Sequence, residues 1–393
     1  MTPSRYHDSP QVHALYGARV AQLGAALSRT DPLADAAVLA FRELPKGEGW
    51  AQLQRGLEGG AASVPHAHPA IRALLREVEV VPAWVDWDVV DRAGELLLRA
   101  GPIGGLVLSL ASLPYGYASP AGNKPLAFSG RLTEQAPRRL METARFVHAV
   151  CVPRALHRGG DGFQVTLKVR VMHAQVRRLL WDSGRWDADT WGEPINQHDL
   201  AATTLLFSVV VLDGLRKLGL RPSAREAKEY LHLWRYVGWL MGTEEALLPV
   251  TEAELFKLAD LILVTQGEPD DDSRALTAAL MTFGLKAART VWERRRVELT
   301  LPFSRAVAHH LLGRRMADGL GIERSNIGPV LPVLRRALGV MERVRSVSSR
   351  AHRLAVERGD AAWRELIEEG LRGMPARFHP PTQLSDARRP AAP

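Results

Sequence analysis

The chain has 393 residues, 46% hydrophobic and 24% charged, with a formal net charge of +8 and a pI near 9.9. That is long enough for a sizeable core and too apolar for a disordered chain or a fibre. One cysteine, Cys151, excludes an internal disulfide, a Cys-rich zinc site and covalent haem attachment through C-x-x-C-H, and makes a reducing, cytoplasmic setting the expectation.

The pattern predicts helices nearly everywhere. Early segments are Val12–Ala26, Leu33–Phe41, Ala70–Val78, Asp86–Leu98 and Gly104–Leu113. Gly/Pro/Ser clusters at 46–49, 59–69, 119–125 and 159–162 read as loops. The run Ile103–Leu113 falls far short of the roughly 20 residues that span a bilayer, and the N-terminus lacks a signal-peptide core, so no membrane span is expected. Further on, Asn196 can cap a helix that Gly219 stops. Ser223 and Glu226 form a capping box before a helix ending at Gly242, and Thr251 and Glu254 form another before one ending at Gly267. The segment VELTLPFS, 297–304, is the one tempting strand. From Pro375 the chain is proline-rich and reads as a disordered tail. With no linker in the middle, the expectation is one all-α domain over residues 1–375, a core at about 100–270, and a tail at 376–393.

Two helices carry candidate chemistry. At about 3.6 residues per turn, a helix over 162–182 aligns Thr166, Val169, Arg170, His173, Val176, Arg177 and Leu180 on one side. A neutral imidazole on an apolar face can ligate a transition metal, and haem iron needs only one or two protein ligands. Arg170 and Arg177 flank His173 and could pair with the propionates of a haem. The plain alternative is a hydrogen-bonded core histidine. In the preceding segment, Arg131–Val152, Arg139 and Thr143 share a face and could orient oxygen species, with Glu142 as a possible base. The alternative there is an ordinary Arg139–Glu142 surface pair. His148, His309 and His310 are further candidate ligands.

The motifs Arg139-x-x-x-Thr143, Arg170-x-x-His173-x-x-x-Arg177, GEPINQHDLAATTLLFSVVVLDGLRKLG (192–219) and LWRYVGWLMG (233–242) together resemble the haem oxygenase family of latex clearing proteins (rubber oxygenases) and the mycophenolic acid biosynthesis oxygenase. The resemblance covers roughly 100–270. It implies a globin-like helical core with additional peripheral helices, a non-covalent haem b with His173 on the iron, and Arg170 and Arg177 in haem retention. Arg139 and Thr143 would belong to the distal pocket helix, with O₂ as co-substrate. Rubber-cleaving members are dioxygenases that split C=C bonds of polyisoprene. Here Glu142 stands where those members carry a lysine, and Ala118–Gly130 offers no counterpart to their upstream acidic residue.

The expected function is thus a haem b-dependent oxygenase acting on a small or polymeric apolar substrate by oxidative C=C cleavage. The alternative is a non-catalytic haem-binding sensor or carrier, motivated by Glu142. A nucleic-acid module would rest on the pI alone, and the scattered arginines of 331–359 read instead as a solvated helix face. Oligomeric state is not legible.

Overall fold

A computed structural model of the chain describes residues 2–128, 136–327 and 330–371. The tail from Pro375 and the expected helix start near Gln135 lie outside the described residues. Every regular element among them is helical.

Thirteen helices matter below: α1 Pro32–Glu43, α2 Pro69–Glu79, α3 Leu113–Tyr117, α4 Ala136–Cys151, α5 Asp161–Asp182, α6 Gln197–Phe207, α7 Val209–Leu218, α8 Ala224–Leu240, α9 Glu252–Thr265, α10 Asp271–Met281, α11 Val291–Leu312, α12 Val330–Ser346 and α13 Ser349–Leu371. One continuous cluster of buried apolar side chains runs from Tyr6 to Leu371 through all of them except α3 and α10, which pack Tyr115 and Met281 against it. Shorter helices complete the N-terminal third.

The capping signals form as the residue types dictate. The Asn196 side chain accepts from the Asp199 N–H, and both Ser223/Glu226 and Thr251/Glu254 close reciprocal boxes. Gly219 ends α7 at φ +105°.

Two expectations are corrected. The run after Asn196 is not one helix but two, broken at Ser208 (φ −100°, ψ −92°). Thr203, Thr204 and Ser208 each donate a hydroxyl to the carbonyl four residues back, which weakens the ladder there. By length and hydropathy 197–218 could cross a bilayer, yet 61% of that stretch is buried inside the protein. The strand candidate 297–304 lies inside α11, whose start is fixed by a Thr290/Glu293 capping box and supported by an Arg294–Glu298 pair. These i, i+3 and i, i+4 contacts outweigh the β-branched residues.

For the site, the consequential packing is α4 on α5, with α5 also against α1 and α8. Before α3 comes a single π-helical turn over 108–112.

Candidate active site

His173 sits in the middle of α5, on a helix whose neighbouring face positions, Arg170 and Arg177, are both buried. Burial disfavours its charge most, the Arg177 guanidinium next, and Arg139 acts in the same sense against Asp31. Together they hold the imidazole pKa down at about 4. At neutral pH the ring is therefore neutral and has a lone pair to give. Its Nδ1 is buried and bonded to nothing, although the side chain keeps some accessible surface. No other histidine among the described residues has a buried ring nitrogen without a partner.

The remaining histidine candidates are occupied. His148 Nε2 lies 2.6 Å from Asp360 Oδ1, at the α4–α13 contact. His309 bonds the Ile322 carbonyl at 2.9 Å and His310 the Lys217 carbonyl at 3.1 Å. Among the described residues no three His, Cys, Asp or Glu side chains gather as a cage for a bare metal ion.

The two arginines beside His173 are spent on this chain's own acceptors. Arg170 makes a two-pronged pair with Asp31, Nε to Oδ2 at 2.6 Å and Nη2 to Oδ1 at 2.9 Å. Its Nη1 lies 2.9 Å from Glu77 Oε2 and donates to the Leu240 carbonyl at 3.4 Å. Arg177 donates to Asp35 Oδ1 at 2.7 Å and to the Ile195 carbonyl at 2.6 Å. Ile195 has a left-handed backbone, φ +50°, so this bond clamps a strained turn just before the Asn196 cap. Both guanidinium groups engage acceptors of this chain. They tie α5 to α1 and to the turns at 194–196 and 240–242, and so fix where His173 stands.

On α4, Arg139 and Thr143 line one side of a cavity of about 610 Å³, with Leu140 beside them and Tyr117, Leu113, Leu126, Leu276, Leu280 and Phe283 completing the wall. Thr143 Oγ1 donates to the Arg139 carbonyl at 3.0 Å. Burial raises the Tyr117 pKa, with Arg139 opposing, so its phenol stays protonated. Glu142 is not among the lining residues. It accepts from Arg138 Nε at 3.0 Å, four residues back.

Sequence reasoning missed Tyr117 and Phe283. Both come from short helices whose place beside α4 has no local signature, although the LPYGY of α3 stands at the end of a predicted helix. A second, larger cleft of about 1040 Å³ lies against the other face of α3, lined by Tyr115, Leu206, Val209, Val210 and Phe256. Size alone would favour it. Of the charged groups that act on His173, Arg139 lines the smaller cavity, which is where chemistry is indicated. Leu140 lines the small cavity, Leu205, Leu206, Val209 and Val210 border the large cleft, and Phe146 is packed against Phe207 and Trp234.

The chain has relatives among known proteins. The family described as ER-bound oxygenase mpaB/B'/Rubber oxygenase, catalytic domain, matches residues 87–343. The chain belongs to this family. The rubber oxygenase of Streptomyces sp. (strain K30) is 25% identical over 295 residues, 74% of this chain and 66% of that protein, so the chain spans about two thirds of that relative's length. The structure of a latex clearing protein in its closed state superposes with a TM-score of 0.64 at 20% identity, covering 93% of this chain and 94% of that one. At that identity it shows the shared all-α fold of the mpaB/rubber oxygenase family. The family match contains α3 to α11 and most of α12, and hence both walls of the small cavity and all of α5.

Proposed function

We propose that this chain is a haem b-dependent oxygenase that uses O₂ to cleave C=C bonds of an apolar substrate, with residues 1–375 working as one domain. The observation that carries the reading is His173: a neutral, deep-set imidazole with an unbonded buried nitrogen, on the helix next to a cavity walled by Arg139, Thr143 and Tyr117. The residues present fit a haem. One lone-pair donor suffices for an iron already held by a macrocycle, whereas a bare ion wants three or four.

A bound haem would supply the redox-active iron, and the rest falls to this chain. His173 donates its lone pair, and Arg170 and Arg177 are positioning residues that hold α5 against Asp31, Asp35 and the 194–196 turn. Arg139 and Thr143 bring a cation and a hydroxyl to an otherwise apolar wall, where the low dielectric strengthens their hold on developing negative charge. Leu140, Leu276, Leu280 and Phe283 exclude water and accept hydrocarbon. The relative named a rubber oxygenase supports an unsaturated hydrocarbon as substrate.

The test is O₂ uptake by haem-loaded protein given polyisoprene oligomers and shorter alkenes, with carbonyl products measured. Uptake with carbonyl formation is the expected result. One observation favours a second reading, a haem-binding protein without turnover: Glu142 is engaged by Arg138 rather than facing the cavity. A stable haem spectrum with no O₂ consumed across those substrates would select it.

A further inference from the structure

The strong positive charge of the chain is not used by the site described above, and part of it converges in one place. Gly219, at φ +105°, ends α7 with its carbonyl 3.9 Å from where a Gly339 side chain would begin. A side chain at Gly219 would in turn meet the Arg335 carbonyl at 2.7 Å. Glycine on both partners lets the α7 turn press directly on α12.

That contact gathers Arg216 and Arg221 from one side and Arg335, Arg336 and Arg343 from the other around an open groove of about 1070 Å³. Among the described residues, only Arg216 of the five has a carboxylate partner, Glu252. The one acid of α12, Glu342, is turned inward onto Arg99 and Arg345, and it meets Arg221 only at the backbone N–H. The exposed charge of α12 is therefore wholly positive. Val333, Val340 and Val344 are exposed on α12, and Val340 lines the groove. Like charges gathered in this way repel one another unless an anion is shared among them, and planar guanidinium groups suit the oxygens of phosphate.

We propose that this groove is a binding site for a phosphate-bearing anion, separate from the cavity beside His173. A lipid headgroup and a soluble polyphosphate present the same chemistry, and the groove's valine border leaves room for the first.

The experiment uses the full chain, with sodium tripolyphosphate followed by titration calorimetry and vesicles of phosphatidylcholine with or without phosphatidic acid followed by sedimentation. Wild type should bind tripolyphosphate, phosphatidic acid vesicles, or both, with affinity falling as salt rises. Binding of vesicles alone marks the headgroup as the ligand, and binding of both marks the phosphate group itself. The double variant Arg336→Gln/Arg343→Gln should weaken binding by about tenfold or more, with the helical circular dichroism unchanged. Arg294→Gln/Arg295→Gln, on the exposed start of α11, should leave it intact. Failure of wild type to bind either probe, or an equal loss in the α11 variant, overturns the proposal. Neither result depends on haem or turnover.

Discussion

Arg170 and Asp31 form a two-pronged ion pair sealed inside the protein, one turn of α5 before His173. Asp31 also caps α1 by accepting from the Ala34 N–H at 3.2 Å. Removing the carboxylate by Asp31→Ala strands a buried guanidinium, whose loss of partner costs about 3–5 kcal/mol. Glu77, 2.9 Å away, offsets part of this, so the low end of that range is expected. Chemical denaturation of both proteins measures it, and a loss under about 1 kcal/mol would mean the pair does not anchor α5.

Gly242 makes that pair possible. It takes φ +83°, and a side chain there would begin 2.3 Å from Asp31 Oδ2 and 2.7 Å from Arg170 Nε. Gly242→Ala should therefore cost about 1–3 kcal/mol of backbone strain, plus damage to the ion pair. Gly17→Ala is the control: its φ is +59°, but nothing lies within 4 Å, so only the strain remains. A denaturation midpoint equally lowered in both would show that the crowding at Gly242 is immaterial.

Thr143 faces the cavity, while α5 holds His173 independently of it. Thr143→Ala should keep the haem absorbance and lower turnover by at least about tenfold, as for loss of one donor aimed at developing charge. Thr143→Ser should restore most of the rate. Loss of haem in Thr143→Ala would instead place the hydroxyl in retention.

The N-terminal segment is pinned by Arg5, whose Nη2 lies 2.5 Å from Asp199 Oδ1 in the first turn of α6. Burial opposes the Asp199 charge, but Arg5 and the His198 hydrogen bond outweigh it and hold the carboxyl well below its usual value of 3.8. A carboxyl with a depressed folded pKa binds fewer protons than in the unfolded chain. Its stabilisation is full above the unfolded value and drains away as pH falls below it. Stability should thus drop from about pH 5 downward, and Asp199→Asn should be less stable at neutral pH with a flatter acid limb. Parallel acid limbs in the two proteins would contradict this.

Much of the fold is written locally. Asn196, Ser223/Glu226 and Thr251/Glu254 act within one turn of themselves, so their caps can be read directly, and the face shared by Arg170, His173 and Arg177 follows from helical period. The break at Ser208 was also local, but it depended on three hydroxyls choosing backbone carbonyls over solvent. What period could not reveal was the far end of each contact. Asp31 lies 139 residues from Arg170 and Asp35 lies 142 from Arg177. The place of the two arginines beside His173 is periodic, whereas the carboxylates they engage come from the tertiary fold. Tyr117 and Phe283 reach the cavity through packing of short helices, which leaves no periodic trace.

The proposed function depends on His173 as the donor to haem iron, and the absorption spectrum of the purified protein reports on that bond. Wild type and His173→Ala would be purified from the same haem-replete expression and recorded oxidised and reduced. Wild type should show a Soret band that is lost in His173→Ala while the helical signal persists. A wild type without a Soret band, or a variant that retains it unchanged, would contradict that role of His173.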